Sequence, residues 1–106
     1  MSNGYNGWSN YETWRTNLEL IDGYDVSDFM NDHRFVFPDD REEAVSKLAS
    51  HFEDYVQEVM EWPESNTFAF GIVQDFLARV DFDEIAEHYV DDYINEFMYN
   101  ELKELV

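Results

Sequence analysis

The sequence predicts an all-α, or nearly all-α, fold, built as a compact bundle of about four main helices. Apolar residues recur at helical spacing in several segments, and Gly, Pro, Asn and Asp separate those segments. The 106 residues suffice for a single acidic helical domain, 1–106, with one core. Apolar residues make up 44% of the chain and aromatic residues 18%, far more than a disordered acidic tail contains.

The first helix is predicted to begin at Ser9, after a flexible Gly/Asn-rich leader, 1–8, which could dock on the body through Tyr5 and Trp8. Ser9 followed by Glu12 has the pattern of a capping box, in which the hydroxyl and the carboxylate satisfy unpaired N–H groups. Gly23 is expected to stop this helix. Its core-facing residues are predicted from their spacing to be Tyr11, Trp14, Leu18 and Ile21.

The segment around 23–39 is predicted to be irregular. Val26, Phe29 and Met30 suit a short helical turn entered from Asp25. The stretch 34–37 that follows ends at a proline and is compatible with either a helix or an extended strand, so both alternatives stay open.

The clearest predicted helix runs from about Asp40 to Trp62. Its apolar residues follow the i, i+3, i+4, i+7 pattern of an amphipathic helix: Ala44, Val45, Leu48, Ala49, Phe52, Val56, Val59 and Met60. The opposite side carries Glu43, Glu53, Asp54, Glu58 and Glu61. This helix is therefore expected to bury one face and display acids on the other.

A fourth helix is predicted after Pro63, capped by Ser65 or Asn66 and ending near Val80. Its buried stripe is predicted to comprise Phe68, Ala69, Ile72, Val73, Phe76 and Leu77. Gly71 is expected to permit close packing against another helix.

The last helix is predicted to start at Asp81, with Glu84 three residues later, and to continue toward Leu105. Its first apolar face consists of Phe82, Ile85, Ala86, Tyr89, Val90, Tyr93 and Phe97. The apolar face then shifts around the helix to Ile94, Met98, Leu102 and Leu105. A straight helix cannot bury both faces against one surface, so either it bends near 91–95 or its last turns pack elsewhere. The second set is a candidate oligomer face, and a homodimer is one interpretation.

The charge of the chain excludes several classes of function. It has 25 Asp+Glu against 6 Lys+Arg, a net charge of −19. Binding to nucleic acid relies on Lys and Arg at phosphates, and binding to anionic membranes relies on basic clusters, so direct partners of both kinds are excluded.

There is no Cys, no signal peptide and no apolar run of transmembrane length. We expect a cytoplasmic protein.

Several carboxylates were considered as metal ligands. One cluster lies within nine residues of the last helix: Glu84, Glu87, His88, Asp91 and Asp92. Di-iron bundles use inward-facing Glu-x-x-His pairs, whereas this cluster has a spacing of four and faces away from the apolar stripe. Asp22, Asp25 and Asp28 suggest calcium, but they lack the alternating ligands and central Gly of an EF-hand loop. We therefore predict no metal and no cofactor.

Catalysis is not indicated either. The chain has no nucleophile elbow and no phosphate-binding loop, and a pair of carboxylates is expected in any acidic protein. The sequence thus favours a protein that is not an enzyme, with a metal-dependent enzyme as the third hypothesis.

The charge itself suggests a function. A compact domain of this length has a radius of gyration of roughly 13 Å and is about 33 Å across. Duplex DNA of that length carries on the order of 20 negative charges. Helices could present carboxylates as a similar array, which predicts binding to the basic surface of a nucleic-acid-binding protein. The residues predicted to contact such a partner are Glu43, Glu53, Asp54, Glu58, Glu61, Glu84, Glu87, Asp91 and Asp92. The alternative is a small acidic interaction module whose charge serves only solubility or salt adaptation.

Two segments carry a resemblance to a known family. Asn10–Trp14 (NYETW), followed by Asn17–Ile21 (NLELI), and the later Val80–Tyr89 (VDFDEIAEHY) are similar to motifs of a family of small acidic proteins of phages and plasmids. The resemblance implies a mobile-element origin rather than a particular activity. The family form has Trp-Ile/Leu-x-Asn-Asp where this chain has Glu19–Gly23 (ELIDG).

The motif residues have a packing interpretation beside the resemblance. Most of them are expected to determine the fold, whereas Thr13, Glu87 and His88 are expected to be exposed and are the least explained by packing. Small acidic phage proteins that block restriction, CRISPR or other host enzymes are known as a class, so a phage origin favours the hypothesis of an acidic DNA mimic acting as an inhibitor.

Overall fold

The computed structural model describes the backbone of residues 7–60 and 67–105, and the side chains of 7–60 and 68–96. It contains five helices and, within those backbone ranges, no strand, which confirms the all-α prediction. The helices are α1 (Tyr11–Thr16), α2 (Ser27–His33), α3 (Arg41–Val59), α4 (Thr67–Ala78) and α5 (Phe82–Leu105). There are five helices rather than the four main ones predicted because the short helical turn expected around Val26 and Phe29 forms a regular helix, α2, within the segment that was otherwise predicted to be irregular. The predicted cap at Ser65 or Asn66 and the predicted helix end at Trp62 lie outside the described residues.

Helix α1 begins at Tyr11, two residues after its predicted start at Ser9. Its N-cap is Asn10, whose Oδ1 accepts a hydrogen bond from the backbone N–H of Thr13 at 2.8 Å. The Asn10 amide also donates to the carbonyl of Arg79 at 2.8 Å, and thereby ties α1 to the loop before α5. The predicted capping box of Ser9 and Glu12 is therefore wrong, because Asn10 supplies the cap.

A π-helical turn over Asn17–Ile21 extends α1. The N–H of Asp22 donates to the carbonyl of Asn17 at 2.6 Å, so the chain there advances five residues per hydrogen bond rather than four. This wider turn changes the direction of the side chains: Ile21 is buried as predicted, whereas Leu18 is 50% exposed. Gly23 follows with φ +88°, a conformation that favours glycine, and ends the segment as predicted.

The segment after Gly23 leads through α2 into α3. The Asp25 carboxylate accepts a hydrogen bond from the backbone N–H of Ser27 at 2.9 Å, and this bond lowers the pKa of Asp25. Phe29 and Met30 lie in α2, in agreement with the predicted short helical turn, and both are buried. Residues 34–40 form turns that end with the N–H of Asp40 bonded to the carbonyl of Val36 at 2.8 Å, so neither the helix nor the strand alternative is correct there.

Helices α3 and α5 pack along each other and form the centre of the core. Six predicted residues of α3 are buried: Ala44, Val45, Leu48, Ala49, Phe52 and Val56. Ile85, Ala86 and Val90 of α5 face them and are completely buried. Val59, at the last position of α3, is 48% exposed, so its predicted burial is wrong.

Helix α4 packs much less than its sequence predicts. Leu77 is buried and Val73 and Phe76 are half-buried, but Phe68 is 79% exposed and Ile72 is 55% exposed. A Cβ atom added to Gly71 would meet nothing within 4 Å, so the expected close packing at this glycine is wrong. Among the described side chains of α4, those that pack against the core are Val73, Phe76 and Leu77, in its C-terminal half.

The molecule is more extended than expected for a compact domain of 106 residues. Its Cα radius of gyration is 16.1 Å and its principal extents are 59 × 37 × 21 Å. Helix α5 alone accounts for about 36 Å at 1.5 Å per residue. Among the described residues, every helix is too short or too polar to span a bilayer.

Candidate functional site

The outward side of α3 carries the clearest part of the predicted acidic surface. Glu53, Asp54 and Glu58 are exposed, and none of them forms an ion pair with another described residue. Glu43 is exposed as well and forms a weakly held surface pair with Lys47 one turn along, at 3.2 Å. From the first of these acids to the last, the row extends about 22 Å along the helix. Glu61, the fifth predicted acid of this row, lies outside the described residues.

The predicted acids of α5 form more ion pairs and hydrogen bonds within the protein than those of α3 do. Arg41, the first residue of α3, donates from Nε and Nη2 to the two carboxylate oxygens of Asp91 at 2.8 and 2.9 Å. The same guanidinium lies 3.5 Å from Glu87. These donated hydrogen bonds lower the pKa of Asp91. The pair therefore stabilises the fold at neutral pH and is lost as acid protonates the carboxyl.

Glu84 connects the start of α5 to the leader. Its carboxylate accepts hydrogen bonds from the Ser9 hydroxyl at 2.7 Å and from the Ser9 backbone N–H at 3.0 and 3.1 Å. One turn later, the His88 ring lies 4.2 Å from the Trp8 ring. Trp8 is half-buried against the core, which confirms that the leader can dock through this residue. Glu84 and His88 thus have structural contacts, while Asp92 is exposed.

The candidate oligomer face is described only at its beginning. Ile94 is half-buried against the core of its own chain. The side chains of Met98, Leu102 and Leu105 lie outside the described residues, so this face remains a prediction.

Thr13 was expected to be exposed, and this expectation is wrong. Its side chain is 0% exposed, and its Oγ1 accepts a hydrogen bond from the backbone N–H of Asp81 at 2.8 Å. Thr13 therefore fixes the start of α5 against α1. Glu87 and His88, the other two motif residues expected at the surface, are exposed.

An apolar groove of about 490 Å³, which the sequence did not predict, lies between α4 and α1 with its π-helical turn. Its walls include Thr16, Leu20, Met60, Ile72, Val73 and Phe76. Arg15 and Glu19 also line it and form an ion pair with each other. The signal in the sequence was the run from Phe68 to Val73, which places apolar residues on more than one side of a helix.

One buried hydroxyl lies in the wall of this groove. Thr16 is 2% exposed, and its Oγ1 has no hydrogen-bond partner among the described residues. Thr13 and Thr16 thus form a pair on adjacent turns: both are buried, but only the hydroxyl of Thr13 is bonded.

Replacement of Thr13 or Thr16 by valine is predicted to change the free energy of unfolding in opposite directions. Thr16→Val replaces an unpaired buried hydroxyl by a methyl group of the same shape, so we expect the free energy of unfolding to rise by about 1 kcal/mol. Thr13→Val leaves the N–H of Asp81 without its acceptor, so we expect a loss of about 1–3 kcal/mol. Threonine and valine have similar helix propensities, so the comparison isolates the hydrogen bond. Urea unfolding of both variants tests it, and equal changes would contradict it.

No metal-binding geometry was found among the residues whose side chains are described: no three or more His, Asp or Glu side chains are placed to hold an ion. In particular, the Asp25 carboxylate of the suggested calcium loop is bonded to Ser27.

The fold and the surface define a small, strongly acidic, all-helical protein with a packed α3–α5 centre and an open groove. The chain belongs to the family of unknown function DUF7249, which matches residues 1–105. No curated protein and no solved structure matches it.

Proposed function

We propose that this protein is a non-enzymatic inhibitor of phage type that acts as an acidic DNA mimic. Its partner is the basic nucleic-acid-binding surface of a host defence protein or another DNA- or RNA-handling protein. The observation that carries the proposal is the row of unpaired, exposed carboxylates on α3, Glu53, Asp54 and Glu58, in a chain with a net charge of −19. The phage origin rests on the resemblance of the NYETW and VDFDEIAEHY segments.

The rigidity of α3 supports this interpretation. The helix is held along its whole inner side by core contacts, so its outward carboxylates keep their spacing without the partner having to order them. Asp54 and Glu58 lie about 6 Å apart along the helix axis, so a basic surface that binds phosphates could contact both carboxylates, and the release of counterions would contribute to binding.

The dimensions restrict the mimicry to part of the surface. Duplex DNA as long as the 59 Å axis of the molecule would carry about 35 charges, well above the net charge of −19. Arg41 further neutralises Glu87 and Asp91 on α5. We therefore assign the DNA-like contact to α3, with Asp92 as an additional exposed acid.

A capture experiment tests the proposal. The tagged protein is immobilised and exposed to nuclease-treated bacterial lysate at about 50 mM and at about 500 mM NaCl, where screening lengths differ several-fold. We expect a nucleic-acid-binding protein to be retained at low salt, released at high salt and displaced by a short DNA duplex. A partner that is retained at both salt concentrations and is not displaced by DNA would contradict the proposal, as would the absence of any partner.

The alternative function, an interaction module whose charge only maintains solubility, is favoured by a different observation. Phe68, Phe70 and Ile72 expose large apolar surfaces on α4, which is typical of a surface that contacts another protein. A salt-insensitive partner in the capture experiment would support this alternative.

A further inference from the structure

The apolar groove continues into an exposed surface on α4. Ile72 forms part of the groove wall and is 55% exposed. Phe68 lies one turn before Ile72 on the same side of the helix and is 79% exposed. A monomeric soluble protein seldom exposes large apolar residues side by side in this way, and such surfaces mark contacts with other molecules.

The walls of the groove are mainly apolar. Leu20, Met60, Ile72 and Phe76 line it together with Thr16, whose hydroxyl oxygen is buried and so does not face the open space of the groove. The groove therefore favours an occupant that inserts an apolar side chain.

The charge of the chain determines which occupant is favoured. A net charge of −19 repels fatty acids, nucleotides and other anions, and it opposes the approach of a second copy with the same charge. Glu19 lies in the groove wall, and its neighbour Arg15 is already paired with it, so none of the described residues that line the groove offers an unpaired cation to an anion. A cationic segment with apolar side chains complements both the apolar walls of the groove and the negative charge of the protein.

We infer that the groove binds an apolar side chain carried by a lysine- or arginine-rich segment of the same partner that the acidic surface of α3 contacts. The inference rests on the proposed function and adds a second contact to it. Carboxylates provide attraction at long range that salt weakens, whereas burial of an apolar side chain in the groove is not weakened by salt. The contact at the groove should thus weaken less with salt than the contact of the carboxylates, while the partner as a whole is still released at about 500 mM NaCl.

Peptide probes test the groove without the natural partner. One fluorescein-labelled peptide of 16 residues contains only Leu and Lys, arranged as an amphipathic helix; the second has the same composition in an order that gives no apolar face. Their affinities are measured by fluorescence anisotropy at about 300 mM NaCl, where the attraction between charges is strongly screened. We expect the full-length protein to bind the amphipathic peptide at least about tenfold more tightly than the second peptide, which corresponds to 1.4 kcal/mol.

Ile72→Gln is the test variant, because it changes the groove wall at a side chain that is more than half exposed and so leaves the core intact. It is expected to abolish the preference for the amphipathic peptide. Val36→Gln is the matched control, since Val36 is 64% exposed and lies outside the groove. This control should keep the full preference, and circular dichroism melts check that both variants fold.

Three outcomes would overturn the inference: equal affinity for the two peptides, an unchanged preference in Ile72→Gln, or light scattering that shows a dimer which this substitution dissociates. The dimer would mean that a second copy covers the groove. Each of these leaves the salt-dependent capture by the α3 acids untouched, so the proposed function would stand. Conversely, the protein could prefer the amphipathic peptide while the capture experiment yields no partner that salt releases. That result would contradict the proposed function and leave the inference about the groove standing.

Discussion

Removal of three carboxylates from the outward side of α3 is expected to weaken binding to the captured partner by at least about tenfold at low salt. The variant combines Glu53→Gln, Asp54→Asn and Glu58→Gln, all at exposed positions without ion pairs to described residues. Each contact with a basic group contributes about one to the slope of log K against log salt concentration, so the slope should become shallower by about three. Titration calorimetry at several salt concentrations measures both quantities.

Loss of structure does not explain such a result. Asp54 and Glu58 are one turn apart on the same helix, where like charges repel each other, so their neutralisation should slightly raise the melting temperature. Weaker binding by a more stable variant can then be attributed to the surface itself.

A control variant separates the position of the charges from their number. Asp28→Asn, Asp32→Asn and Asp39→Asn also remove three negative charges, from exposed positions on α2 and the turn that follows it. If α3 carries the contact, this control binds nearly as well as the unmodified protein. Equal weakening of the two variants would mean that only the total charge matters, and would contradict a DNA-like row on α3.

The sequence was most informative where a helix buries one regular face. In α3, the apolar residues that recur every three or four positions from Ala44 to Val56 are buried. This agreement arises because an unbroken helix with one core-facing side follows a period of 3.6 residues. The same reasoning located Ile85, Ala86 and Val90 in α5. The acids opposite these faces were correctly expected to be displayed, and most of them are exposed.

The first helix shows why periodicity failed elsewhere. The π-helical turn inserts one additional residue into the hydrogen-bonding pattern, so positions after Asn17 no longer follow the spacing of those before it. Leu18 was therefore expected in the core but lies half exposed. Thr13 and Thr16 occupy the buried side instead, and polar residues of this kind are not identified by a search for apolar stripes.

Contacts between distant parts of the chain were beyond sequence reasoning. The pairing of Arg41 with Asp91 joins residues 50 positions apart, and the bond of Ser9 to Glu84 joins residues 75 apart. Local spacing correctly placed these acids on the surface of α5 but did not indicate that basic or hydroxyl groups from other elements would engage them. The groove depends in the same way on how α4 sits against α1, which only the tertiary structure determines.

Phe52→Ala is expected to lower the free energy of unfolding by about 3–5 kcal/mol, the largest loss expected from a single substitution here. Phe52 is 1% exposed, and its ring lies 5.2 Å from that of Tyr24 and 5.3 Å from that of Tyr89, both edge to face. It thus joins α3 to the segment after the π-helical turn and to α5. Truncation removes these contacts and leaves a cavity that a close-packed core cannot fill.

Urea unfolding measures this loss, and two further variants keep the prediction testable if Phe52→Ala fails to fold. Phe52→Leu retains most of the side-chain volume and should cost less than Phe52→Ala, about 1–2 kcal/mol. Tyr55→Ala, on the same helix but 42% exposed, controls for the change in helix composition and should cost about 1 kcal/mol or less. Similar losses for Phe52→Ala and Tyr55→Ala would contradict the position of Phe52 at the centre of the core. The order of the two alanine variants follows from burial, because Phe52 and Tyr55 lie within one turn of the same helix, whereas the smaller cost of Phe52→Leu follows from the side-chain volume that it retains.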